Sequence, residues 1–157
     1  MMTSEESRTK AGTIQVTTFT VRELLLGLNV LDVQEILRPQ EMTPVPLAPD
    51  VVEGLINLRG QIVTALDLRH RIGLPPRTAE ELATRRPMNV VVRTRDNAVS
   101  LLVDTIGDVV EVDPAGLEAP PENMLESTRS LVRGIHKLEG QLLLILDLDR
   151  VLQGTAN

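Results

Sequence analysis

The chain has 157 residues, a formal net charge of −6 and no cysteine, so it makes one ordinary domain or two very small ones with no thiol to staple them. An acidic balance of this size excludes nucleic acid as the main partner, because a phosphate backbone selects a basic footprint. Phe19 is the only Phe, Tyr or Trp, which removes both a base-stacking platform and an aromatic groove for polyproline.

Residues 1–12 are small, polar and charged and predict a disordered tail. They lack the apolar centre of a signal peptide, and no later stretch approaches the ~20 apolar residues of a membrane span, so a cytoplasmic protein with no direct membrane insertion is expected. Order is expected from Thr13. Residues 13–21 (TIQVTTFTV) alternate and are rich in β-branched side chains, the pattern of a strand. Strands over 24–28 and 33–38 follow, with a tight bend over 29–32 between them. Helix competes over 24–37 because Leu and Glu favour it. Strand is preferred because 100–112 (SLLVDTIGDVVEV) repeats the apolar spacing, setting Val30, Val33 and Ile36 against Val103, Ile106 and Val109. Four prolines between Pro39 and Pro49 then make 38–50 an extended connection.

Residues 51–73 (VVEGLINLRGQIVTALDLRHRIG) return eighty positions later as 131–153 (LVRGIHKLEGQLLLILDLDRVLQ). The copies share Gly54 with Gly134, Gly60 with Gly140, Gln61 with Gln141, and Leu66-Asp67-Leu68 with Leu146-Asp147-Leu148. Internal repeats fix architecture, and these predict two similar units. In each, a short apolar run leads to a turn at Arg59-Gly60 or Glu139-Gly140, whose glycine supplies the positive φ of a tight hairpin. A second run follows, and Asp67 or Asp147 is then placed to cap a short helix over 68–72 or 148–152.

Between the repeats, Leu74-Pro75-Pro76 stops the first helix and 77–87 (RTAEELATRRP) serves as a linker with at most a helical turn. Residues 88–94 and 98–103 form the next hairpin. The order of elements in the first half is thus repeated in the second: subdomain 1 over about 13–76, the linker, and subdomain 2 over about 88–153. Each half holds about five short strands and a terminal helix, an all-β pattern of two small barrels folding as one unit.

Paired carboxylates from related halves suggest a second class of function, a hydrolase built on Asp67 and Asp147. Each is followed by Leu and a short helix, which favours capping. His70 and His136 occupy non-equivalent places with no second ligand at metal spacing. No Ser has a G-x-S-x-G context and no Gly-rich loop has phosphate-binding spacing. The residues therefore propose no active site, metal or cofactor.

VQEI at 33–36, GLINLRG at 54–60, LDLR at 66–69 and LVDTIGDVV at 102–110 together resemble the CheW family of bacterial chemotaxis coupling proteins, over about 14–152. The resemblance implies two five-stranded SH3-like barrels sharing a hydrophobic core, and a non-catalytic adaptor. Its implied partners are the regulatory domain of the histidine autokinase CheA and the cytoplasmic tip of methyl-accepting chemotaxis receptors. Position by position, it places a kinase-binding surface at Val33, Glu35 and Arg59 and a receptor-binding groove at Ile106 and Val109. The same role in a pilus-motility or other chemosensory pathway is the alternative. The family's aromatic near Leu26 is missing here, which implies a core filled with aliphatics.

Overall fold

A computed structural model of the chain describes residues 12–153. The tail expected over 1–12 therefore lies, apart from Gly12, outside the described residues. Within them the fold is mostly β, as expected. The strands are β1 (Ile14–Val21), β2 (Leu24–Asn29), β3 (Val33–Leu37), β4 (Val52–Leu58), β5 (Gln61–Asp67), β6 (Met88–Arg93), β7 (Ala98–Val103), β8 (Thr105–Val112), β9 (Val132–Leu138) and β10 (Gln141–Leu146). Four short helices join them: α1 (Leu68–Arg71), α2 (Ala79–Thr84), α3 (Glu126–Arg129) and α4 (Leu148–Leu152). The bend expected over 29–32 is a 3₁₀ turn at Val30–Asp32, capped by the Asn29 side chain on the Leu31 N–H.

The strands form two five-stranded sheets: sheet 1 in the order β8-β1-β2-β10-β9 and sheet 2 in the order β3-β6-β7-β5-β4. Replacing each strand by its repeat mate, β1 by β6 and so on, turns one order into the other. Register repeats as well. Val33 lies opposite Val92 and Ile106 opposite Phe19, while Ile36 lies opposite Val90 and Val109 opposite Thr17. In both cases the two partners shift together by 73 positions, and a bulge falls at the same place. The alignment of Val33 and Ile36 with Ile106 and Val109 is therefore structural.

Membership of the sheets differs from the expectation that each half of the chain makes its own barrel. Sheet 1 combines β1 and β2 with β8, β9 and β10, and sheet 2 combines β6 and β7 with β3, β4 and β5. Each half lends its first hairpin to the other half's sheet, because the short turn after β2, and Asp104 after β7, carry the chain across. The joins are parallel pairings, β10 with β2 and β5 with β7. Parallel neighbours need a long crossover, which 30–140 supplies between β2 and β10 and 68–97 between β5 and β7.

One large core unites the sheets. Phe19, Leu26 and Leu28 of β1 and β2 pack in the same cluster as Leu66 of β5, Leu101 of β7, Leu144 of β10 and Val151 of α4. Leu26 is fully buried opposite Phe19, the single aromatic, and the rest of the cluster is aliphatic, as the missing family aromatic implied. The two repeated glycines earn their place by close approach. A Cβ on Gly54 would meet the Thr43 carbonyl oxygen at 2.8 Å, and one on Gly134 would meet Leu117 at 2.7 Å. In each copy the preceding connection crosses the strand there, bridging Thr43 to Leu55 and Glu118 to Ile135.

The repeat helices meet at the centre. Arg71 of α1 donates from Nε to the Val151 carbonyl at 2.7 Å and from Nη2 to those of Arg150 and Gln153 at 2.7 and 3.2 Å. It thereby caps the end of α4 from outside, sharing the Arg150 carbonyl with the Gln153 N–H at 3.2 Å. Helix α1 ends at Arg71, one residue before the expected Ile72, which serves as its C-cap. The linker holds more helix than expected, since Thr78 and Glu81 form a reciprocal capping box at the start of α2.

Candidate functional site

Strand β3 is one of the two outer strands of sheet 2, and the bulge between Val33 and Glu35 interrupts its alternation. Val33 is half-buried against the main core, and Ile36, paired with Val90 two residues from the Val92 partner of Val33, lies on the same face but is exposed. Arg59 and Gly60 take successive positive φ values of 53° and 87°, the conformation of a two-residue hairpin turn. The Asn57 side chain accepts from the Gly60 N–H at 2.9 Å. Arg59 does not bond its own turn. Its guanidinium pairs with Glu35, linking the tip of β4 and β5 to β3 and so joining the two outer strands of sheet 2. The hydrogen bond from Arg59 is the main cause holding the Glu35 carboxyl below its ordinary range. The structure thus brings Glu35 and Arg59 together, with Val33 nearby in sequence but turned largely toward the core.

Strand β8 occupies the corresponding edge of sheet 1. Ile106, like Val33, packs against the main core, and Val109 is 56% exposed. Here the charge pattern diverges. The repeat mates of Glu35 and Arg59 are Asp108 and Glu139, both acidic, so no ion pair can tie this hairpin tip to its edge. Gly140 keeps a positive φ of 83°, but Glu139, unlike Arg59, does not take one, so the two hairpin tips are different turns.

Asp67 and Asp147 cap their helices as expected. Asp67 Oδ1 accepts from the Arg69 N–H at 3.1 Å, and Asp147 Oδ1 from the Arg150 N–H at 3.2 Å. Asp67 lines a cavity of about 240 Å³ with Arg77 and Asn89, and Asp147 lines another of about 480 Å³ with Asp32 and Asp149. Neither cavity contains both aspartates, so the geometry does not assemble the carboxylate pair that hydrolysis would need. Among the described residues no cluster of His, Cys, Asp or Glu could hold a metal, and no helix is long and apolar enough to cross a membrane.

A buried ion network escaped the sequence reading. Arg77 pairs with Asp67 at 2.9 Å and with Asp104 at 2.8 Å, while Arg69 pairs with Asp104 at 3.0 Å and with Glu81 at 2.8 Å. The Arg22 backbone N–H also donates to Asp104 at 2.6 Å. Burial pushes the Asp104 carboxyl up, but the Arg22 and Arg69 hydrogen bonds and the Arg77 charge outweigh it and hold the group below its ordinary value. Asp104 stands where the chain leaves sheet 2 for sheet 1, so the network ties β1, β5, the linker and both sheets at one point. The available clue was a charge inside an apolar run, Arg69 in ALDLRHRIG and Asp104 in LLVDTIG.

Two edge strands at symmetric places, carrying different side chains on one shared core, define a duplicated β scaffold. Residues 15–156 match the CheW-like domain family, and the chain belongs to it. The chemotaxis protein CheW of Rhizobium meliloti is 31% identical over 150 residues, covering 96% of this chain and 94% of that protein. CheW of Bacillus subtilis is 33% identical over 126 residues, covering 80% and 78%. The crystal structure of the scaffolding protein TtCheW from Thermoanaerobacter tengcongensis superposes with a TM-score of 0.79 at 26% identity, covering 96% of this chain and 95% of that one.

Proposed function

We propose that this chain is a non-catalytic cytoplasmic adaptor that couples the tips of methyl-accepting chemotaxis receptors to the regulatory domain of the histidine autokinase CheA. The observation that carries the reading is the pair of symmetry-related edges with unlike chemistry: one backbone offers two docking faces that a single partner would not read alike. Glu35 and Arg59, with Val33 behind them, serve the kinase. Ile106 and Val109 serve the receptor. A standard interface buries roughly 800 Å² per partner, and the 9529 Å² of accessible surface here has room for two. Moderate affinities suffice, since holding both partners on one scaffold raises the effective concentration of each toward the other.

Val33 is a poor probe because its substitution would disturb the core as well as any contact. Arg59 and Val109 are cleaner, with the Arg59 side chain 66% exposed. Titration against the purified kinase regulatory domain and a receptor cytoplasmic fragment tests the assignment. Arg59→Glu should weaken kinase binding by about tenfold and leave the receptor unaffected, and Val109→Glu should do the reverse. Folded variants that bind both partners as the parent does would overturn the placement.

A further inference from the structure

Helix α2 buries none of its own residues. Six residues cannot sustain a helix in water, since isolated helices under about 12 residues are marginal, so outside contacts keep it wound. These contacts are polar. Thr78 accepts from the Glu81 N–H at 3.1 Å while Glu81 accepts from the Thr78 N–H at 2.9 Å. The Glu81 carboxylate then takes two bonds from Arg69, at 3.2 and 2.8 Å. Just past the helix, Arg86 donates to the Gln40 carbonyl at 3.0 Å.

Exposure across the Glu81–Arg69 bridge is uneven, 44% for the Glu81 side chain against 4% for Arg69. Arg69 has a second partner in Asp104, and the bonds of Arg77 to Asp67 and Asp104 do not involve Glu81. A cavity of about 460 Å³ lies between the helix and the network, lined by Arg69 and Asp104 with Glu80, Glu81 and Arg85. Apolar packing, which makes most protein helices cooperative with the rest of the fold, is slight under α2: its one large apolar side chain, Leu82, is 44% exposed and faces a cavity beside Met42 and Leu102. Segments with few buried apolar contacts open locally at lower free energy than the global transition.

We propose that α2 is a polar strap, latched by Glu81 over the Arg69–Asp104–Arg77 network, which opens as one unit while both sheets stay folded. Opening admits water to the point where the chain passes from one sheet to the other, and closing seals it. The strap is a property of this chain alone and does not depend on which partners bind.

Hydrogen exchange of the full chain, followed by mass spectrometry, tests it. Amides of 80–85 should exchange about a hundredfold faster than those of β5 and β7. Glu81→Gln, which keeps length and shape, should speed them roughly another tenfold and leave both strands unchanged. Glu80→Gln removes the same charge from the same helix without touching Arg69, and should change exchange less than about twofold. The strap is overturned if 80–85 are protected as well as the strands, if Glu81→Gln loosens strands and helix alike, or if the Glu80 and Glu81 variants behave identically.

Discussion

The edge of sheet 2 and the edge of sheet 1 share strand order, register and bulge, yet one is clamped by Arg59 and Glu35 and the other carries Asp108 and Glu139. The same divergence recurs inside. Asn89 and Ser100, hydrogen-bonded at 2.8 Å in sheet 2, have Val16 and Gly27 as repeat mates in sheet 1, where a Cβ on Gly27 would meet Val16 at 2.4 Å. Gly54 with Gly134, Gly60 with Gly140 and the caps Asp67 with Asp147 are retained in both copies. The positions that differ include a turn residue, Arg59, and the fully buried Asn89 and Ser100, so one duplicated frame carries two unlike edges and two unlike inner pairs.

The largest difference is expected at Asp104 and its mate Leu31. Removing Asp104 leaves Arg69 and Arg77 buried with one carboxylate fewer, so Asp104→Ala should cost about 3 kcal/mol or more in urea unfolding. Leu31 is 78% exposed, and Leu31→Ala should fall within about 0.5 kcal/mol. Equal effects would mean that the network does not hold the crossing point.

Next comes the inner pair. Gly27→Ser should cost about 1–3 kcal/mol by overpacking against Val16. Adding Val16→Asn recreates the sheet 2 pair and should recover part of that loss. Strict additivity in the double variant would show that the two positions are not in contact.

A smaller effect should follow from giving sheet 1 the clamp it lacks. Glu139→Arg places a cation opposite Asp108, and a double-mutant cycle should show coupling of about 0.5 kcal/mol, the scale of an exposed ion pair. Zero coupling would mean that this hairpin tip stands farther from its edge than the Arg59 tip does.

The smallest is a titration confined to the linker, which only the first copy possesses. The Arg69 hydrogen bond, then that from the Thr78 N–H, draws the Glu81 carboxyl from 4.5 to about 2. A folded value below the unfolded one means the contribution is fully present above about pH 4.5 and is lost as pH falls toward 2. The bond to Glu81 in turn raises Arg69 above its ordinary value, and Asp104 in the adjoining network is likewise held below its own. The Glu81 amide resonance should shift with a midpoint near 2, and a midpoint near 4.5 would show the latch unformed.

Local chemistry was readable in advance. Gly60 and Gly140, the caps Asp67 and Asp147, the prolines of 38–50 and the alternation of Ile14–Val21 each act within a few residues, and each element stands close to where it was expected. The exchange of hairpins was not readable. Alternation says that β2 has a buried face but not which sheet covers it, and Leu25 of β2 meets Leu143 of β10 across more than a hundred residues. The Arg59–Glu35 pair and the Asp104 network likewise depend on closures that no short window contains. Resemblance brought Glu35 and Arg59 to notice without showing that they bond each other.

The traded hairpins also set an order of assembly. Sheet 2 has all its strands once Val103 has been synthesised, but β1 and β2, made before any of them, must wait for β8 and β10 before either outer side is covered. Such distant pairing is slow and leaves an apolar ribbon open to strangers. The first two strands of this fold to be made are therefore the last to find shelter, and a nascent chain stalled near residue 103 should be the form that chaperones hold most tightly.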